Sequence, residues 1–85
     1  MAVYRILFKR SVEKDFAKIP KKDLRKILGK IKALGINPRP VGYEKLSAKE
    51  QYRIRQGKYR IVYSIQDDES SVWIVKVGHR RDAYK

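Results

Sequence analysis

The 85-residue chain has 22 lysine and arginine residues against nine acidic residues, giving a formal net charge of +13, which predicts a polyanionic partner such as nucleic acid. The absence of cysteine excludes disulfides and thiolate metal sites, and a lone histidine argues against zinc, so we expect neither a metal nor a cofactor. No long apolar run or signal-peptide h-region occurs, which predicts a soluble cytoplasmic protein without a membrane segment, formed by one domain over residues 1–85.

The first part of the chain predicts one strand and two helices. Alternating apolar residues from Ala2 to Lys9 indicate the strand, and Ser11 is suited to cap the helix that follows. Apolar residues spaced by four and three form the stripe of that first helix: Val12, Phe16 and Ile19. Pro20 suits the first turn of the second helix, and Gly35 ends it. The apolar stripe of the second helix is the most regular in the chain: Leu24, Ile27, Leu28, Ile31 and Leu34.

The outer face of the second helix is predicted to be strongly basic. Its cationic residues are Lys22, Arg25, Lys26, Lys30 and Lys32. A loop with two prolines follows at residues 37–40, and residues 41–50 have no clear assignment beyond Leu46, which we expect in the core.

Three strands joined by short turns make up the rest of the chain. Residues 51–56 alternate, Gly57 marks a turn, and the alternation resumes from Tyr59 to Ile65. A polar turn at residues 67–71 precedes a nearly continuous apolar run at residues 72–77, which is typical of a strand covered on both faces. The fold class is therefore α+β in the order β-α-α-β-β-β, with a helical hairpin packed on a small, mainly antiparallel twisted sheet. We expect the first strand to lie beside the last strand, and the last strand to be at the centre of the sheet.

Strand alternation predicts that Arg53, Arg55 and Arg60 share one face of the sheet. Cations so close repel one another, and paired guanidinium groups bind phosphate well, so this face is a candidate site for an RNA or DNA backbone. The alternative is a solvated face whose arginines form salt bridges with the acidic turn: Asp67, Asp68 or Glu69.

The segment after the last strand carries further candidates. His79 can exchange a proton near neutral pH, and neighbouring cations should keep it neutral, as a general base requires; the alternative is a histidine that only donates hydrogen bonds. Tyr84 could stack on a base, or could simply pack against the sheet. Trp73, Tyr59 and Tyr63 have the strand spacing of core aromatics. Together the candidates suit metal-independent RNA cleavage, in which a 2′-hydroxyl attacks the adjacent phosphate.

Three motifs, taken with the helical hairpin, resemble the RelE/ParE toxin superfamily, and RelE in particular. They are Tyr52-Arg53-Ile54-Arg55, Tyr59-Arg60-Ile61-Val62-Tyr63 and Val77-Gly78-His79-Arg80, followed by Tyr84. The resemblance spans essentially the whole chain. It implies a toxin of a type II toxin–antitoxin module that enters the A site of the 30S ribosome and cuts mRNA. It also implies a RelB-like antitoxin as partner, with operator DNA bound only through the toxin–antitoxin complex.

The resemblance also implies roles for single residues. Arg53 and Arg55 match lysines near the 2′-hydroxyl and the scissile phosphate, and Arg60 matches an arginine that holds phosphate. Arg80 matches an arginine that acts on the transition state or leaving group, and Tyr84 a tyrosine that stacks on the base. Since arginine is a poor base, we expect His79, where relatives often have lysine, to transfer the proton. The residues expected to meet ribosomal RNA are Lys22, Arg25, Lys26, Lys30 and Arg81.

Two rival functions fit the same chain. ParE-like members of the superfamily inhibit DNA gyrase and lack the RNA-cutting residues. A non-catalytic module could use the same basic surface only to bind RNA or an acidic protein.

Overall fold

The computed structural model describes residues 3–46 and 51–79. The regular elements of these residues, in chain order, are β1 (Arg5–Phe8), α1 (Ser11–Ala17), α2 (Lys21–Leu34), β2 (Glu44–Leu46), β3 (Gln51–Gln56), β4 (Tyr59–Gln66), a short 3₁₀ helix (Asp67–Glu69) and β5 (Ser71–His79). Across the described residues, no helix has both the length and the apolar character that crossing a bilayer demands.

The strands form one five-stranded mixed sheet in the order β1-β5-β4-β3-β2. β1 runs parallel to β5, and the other neighbours are antiparallel. The predicted α+β class is confirmed, as is the placement of the first strand beside the last. Two details were wrong: β4, not β5, is central, and a short strand that was not predicted, β2, forms the far edge. Leu46 is half-buried on that edge strand.

The two helices begin and end for reasons that differ partly from the predicted ones. Ser11 is the first residue of α1, and Arg10 holds the N-cap position without a side-chain cap, so the predicted serine cap was wrong. Pro20 is the N-cap of α2, one residue earlier than predicted. At the end of α2, the Gly35 carbonyl accepts a 2.7 Å hydrogen bond from the Tyr4 N–H. A Cβ on Gly35 would lie 3.0 Å from the Tyr4 backbone oxygen, closer than most Cβ contacts in proteins, so this close approach favours glycine.

The apolar stripes of both helices pack on one face of the sheet. The buried residues of this core are Val12, Ile19, Ile27, Ile31, Leu34, Tyr52, Ile54, Ile61, Tyr63, Ile65, Val72, Ile74 and Val77. Leu28, predicted in the stripe, remains 42% exposed and does not belong to the buried core. The fully buried Tyr63 donates its hydroxyl to the Pro38 carbonyl at 2.7 Å, and burial raises the pKa of that hydroxyl.

A polar link ties the loop after α2 to the turn between β4 and β5. The Arg39 guanidinium donates to the Asp67 carboxylate at 2.8 Å, and the Tyr4 hydroxyl donates to the same group at 2.6 Å. These hydrogen bonds, that from Arg39 first, hold the pKa of Asp67 below its ordinary value. The link fixes three chain segments that the sequence separates widely.

Candidate nucleic-acid interface

The strand register places Arg53, Arg55 and Arg60 on the face of the sheet opposite the helices. Arg55 lies directly across from Arg60 in the β3–β4 hairpin, and Arg53 lies across from Val62. Val62 is buried yet does not belong to the core cluster beneath the helices, which identifies this as the opposite face. Since the hairpin turn has only two residues, with Gly57 at a φ of 60°, the register is fixed close to the arginines. We call this surface the arginine face.

The three arginines have different surroundings. Arg60, on the central strand, keeps only 8% of its surface exposed, while Arg55 is exposed. The Arg53 side chain is 11% exposed and forms a 3.0 Å ion pair with Glu44 of β2. Cross-strand pairing accounts for that contact, because Glu44 and Arg53 are register partners. The sequence did not indicate it, since β2 was not predicted.

The alternative of a solvated face predicted salt bridges between the arginines and the acidic turn, but the ion pair of Asp67 in this turn is made elsewhere. Asp67 pairs with Arg39 instead, in a contact whose side chains are 56% and 41% exposed respectively. Of the described residues, the acid placed against the arginines is Glu44, which neutralises Arg53 in part.

Lys76 adds a fourth cation to this face, which the alternation of the sequence did not predict. The β4–β5 register is interrupted at Val62 and Tyr63, where Lys76 and Ile74 are the respective partners, so Val75 is an extra residue. Lys76 pairs with Val62 and therefore lies on the arginine face. Within an apolar run, a bulge of this kind leaves little signal in the sequence.

His79 lies on the other face of the sheet. Its register partner is Tyr59, while the preceding residue, Gly78, is the partner of Arg60. The His79 ring packs edge-on against the Tyr59 ring with centroids 5.8 Å apart, and both rings line cavities beside the helices. His79 was expected in the segment after the last strand, but it is the last residue of β5, and its register with Tyr59 directs it to the helix side.

The remaining candidates divide into described and undescribed residues. Arg80, Arg81 and Tyr84 lie outside the described residues. On α2, Lys22, Arg25 and Lys26 are exposed as predicted, whereas Lys30 is half-buried. In residues 3–46 and 51–79, no group of three or more histidine, aspartate or glutamate side chains converges as a metal site would require.

Of the aromatics expected in the core, Tyr63 is fully buried and Tyr59 packs against the core while half-buried. Trp73 differs, because its register position puts it on the arginine-face side of the sheet, where the Lys9 ammonium lies 5.5 Å from its ring centre. Trp73 is therefore half-buried on the arginine-face side and does not belong to the core beneath the helices.

Comparison with known proteins gives concordant results. A family model described as ParE toxin of type II toxin-antitoxin system, parDE, matches residues 6–84. A Methanocaldococcus jannaschii protein assigned as toxin RelE1 is 33% identical, over 96% of this chain and 96% of its own length. Toxin RelG of Mycobacterium tuberculosis is 29% identical, over 96% of this chain and 97% of its own length. The archaeal RelE–RelB complex from Pyrococcus horikoshii contains a chain with a TM-score of 0.82 and 29% identity, covering 98% of this chain and 100% of that one.

Proposed function

Because the chain belongs to the RelE/ParE family of type II toxin–antitoxin toxins, we propose that it is an endoribonuclease that cuts mRNA in the ribosomal A site and so inhibits translation. The observation that carries this proposal is the register that gathers Arg53, Arg55 and Arg60 on one face of the sheet. Such a face matches a phosphodiester in charge and in hydrogen-bond geometry.

The chemistry proposed is attack by the nucleotide's own 2′-hydroxyl on the adjacent phosphorus. The products are a 2′,3′-cyclic phosphate and a free 5′-hydroxyl, and no metal takes part. Arg60, buried on the central strand, is assigned to the non-bridging phosphate oxygens. Arg55, its cross-strand partner, is assigned to the same oxygens. Stabilising that charge in a partly dehydrated site is worth more than in open water.

Fewer residues are proposed for proton transfer than the sequence suggested. Guanidinium groups stay protonated, so the arginines cannot act as the base. His79 lies on the helix side and would need to act from the other face of the sheet. Arg80 and Tyr84 keep the roles that the family resemblance implies, as proposals.

The partners follow from the same proposal. The chain would bind a RelB-like antitoxin, since the related archaeal structure is a RelE–RelB complex. That antitoxin would neutralise it, and the chain would reach operator DNA only through the complex. The α2 residues proposed to meet ribosomal RNA in the cytoplasm are the exposed Lys22, Arg25 and Lys26 and the half-buried Lys30. Arg81 is proposed to join them.

A second candidate is inhibition of DNA gyrase, because the matching family model is described as a ParE toxin. The arginine face favours RNA cleavage over this alternative, since guanidinium groups gathered on one face suit the charged transition state of a phosphodiester cleavage. A module that binds RNA without cutting it would use the same face.

One experiment separates the three. The toxin is induced briefly in cells, and mRNA 5′ ends are sequenced while double-strand DNA breaks are scored. Cuts within A-site codons, lost in Arg60→Ala and kept in the surface control Lys32→Ala, are the expected result. DNA breaks without new mRNA ends indicate gyrase inhibition, and RNA binding without new ends indicates a binding module.

The role of His79 has its own test. The cleavage rate of His79→Gln is measured on programmed ribosomes across pH 5.5–8.5. If the ring were the general base, the rising limb of the profile would disappear. From the placement of His79 we expect the profile to keep its shape.

A further inference from the structure

Three hollows adjoin one another around the end of the sheet where the β3–β4 turn lies. A small hollow of about 40 Å³ opens beside Arg55 and Arg60 and is also lined by Gly57 and Tyr59. Gly57 and Tyr59 line a second hollow of about 430 Å³ on the helix side as well. Tyr59 and His79 then line both that hollow and a third one of about 220 Å³. The shared residues make a continuous path from the arginine face to the helices.

The helix-side part of this path, which we call the turn groove, is cationic and aromatic. Lys26 of α2 and Lys58 of the hairpin turn are both exposed and line its larger hollow together with Asp23. Lys18 lines the inner hollow opposite the end of β5. Asp15 lines that hollow too, but its carboxylate accepts a 3.0 Å hydrogen bond from a backbone N–H of β5. An anion in the groove would therefore meet more positive than negative charge.

Ring surfaces between lysines are the features that bind single-stranded nucleic acid without strong sequence preference. Aromatic side chains stack on bases, and flanking cations follow the phosphates. A volume of about 430 Å³ falls within the roughly 300–1,000 Å³ typical of small-molecule sites, enough for one nucleotide. Neither Tyr59 nor Lys58 has a role in the proposed cleavage chemistry.

We infer that the turn groove is an accessory RNA subsite. Single-stranded RNA held at the arginine face continues over the Gly57–Lys58 turn, seats one nucleotide against Tyr59 and His79, and lays its phosphates near Lys26 and Lys58. The inference rests on the proposed function, because it extends the RNA from the scissile phosphate. An acidic peptide would also suit the charge, but the continuity with the arginine face favours RNA.

The test compares short and long RNA that cannot be cut. The probes are fluorescent 2′-O-methyl oligonucleotides of three and nine nucleotides, and affinity is measured by anisotropy at several KCl concentrations. The variant is Lys26→Gln with Lys58→Gln. The matched control removes two exposed lysines outside the groove, Lys14→Gln with Lys32→Gln.

The groove variant is expected to bind the nine-nucleotide probe about tenfold more weakly while its affinity for the trimer stays within about twofold. Its slope of log affinity against log salt should fall by about 1.4, since each lost phosphate contact on a single strand is worth roughly 0.7. The control should change neither the length dependence nor the slope by a comparable amount.

Other results overturn the inference. The inference is wrong if the groove variant and the control lose equal RNA affinity, if both probe lengths lose equal affinity, or if the unaltered protein shows no length dependence. It is also wrong if the groove variant binds RNA normally but no longer binds its antitoxin, because the groove would then belong to a protein partner. The proposed function is tested separately, by sequencing mRNA ends. If the protein makes no cuts but its RNA affinity still depends on probe length, the RNA subsite is supported and the nuclease proposal is wrong.

Discussion

Arg55→Gln should make the protein more stable and less active at once. Arg55 and Arg60 are direct cross-strand partners, and like charges in that arrangement destabilise a sheet by about 0.2–1 kcal/mol. Removing the exposed charge at Arg55 should recover a free energy of that size. With a urea m-value of about 1–1.5 kcal/mol/M, a gain of about 0.5 kcal/mol raises the midpoint by roughly 0.3–0.5 M. The cleavage rate should fall about 10²-fold, as when one donor to a transition-state oxyanion is removed.

The assay is urea unfolding at 0.1 M and 1 M NaCl, with ribosomal cleavage measured on the same preparations. The screening length is about 10 Å at the lower salt concentration and about 3 Å at the higher, so the gain in stability should largely vanish in 1 M salt. Lys32→Gln serves as control, because Lys32 is exposed and has no basic residue three or four positions away on its helix. If the variant is no more stable than the unaltered protein at low salt, repulsion between Arg55 and Arg60 does not destabilise the fold. A gain that persists in 1 M salt would contradict such repulsion equally.

Three further predictions concern the framework that holds the site. Tyr63→Phe should lower the free energy of unfolding by about 1–3 kcal/mol, because it leaves the Pro38 carbonyl without its 2.7 Å donor; urea unfolding against the milder Tyr43→Phe is the check. Gly35→Ala should cost about 1–3 kcal/mol, because the added methyl meets backbone oxygens at 3.0 and 3.2 Å, and a melting temperature equal to that of Gly29→Ala would contradict this. Asp67→Asn should be less stable near pH 6, and the difference should close as the pH falls below about 4, since a carboxylate with a lowered pKa stabilises the fold only while ionised. Thermal unfolding from pH 6 downward tests the sign, and a gap that widens in acid would contradict it.

The sequence predicted the arginine face because its signal is local. Alternation with a period of two and a turn at Gly57 suffice to place Arg53, Arg55 and Arg60 on one side of a hairpin, with no knowledge of what packs behind it. The same local rules gave the helical stripes and their order along the chain. The sequence also led us to expect β1 beside β5, although it placed the centre of the sheet one strand away from β4.

The tertiary structure decided what depends on pairing between distant segments. A bulge at Val75 moved Lys76 onto the arginine face, and pairing with β4 turned His79 towards the helices, beside Tyr59. Neither event leaves a pattern in the sequence, since a bulge adds one residue within an apolar run and the face of a strand's last residue depends on the register of its neighbour. Composition and periodicity thus determined which charges the sheet would carry. The long-range register alone determined which of them meet.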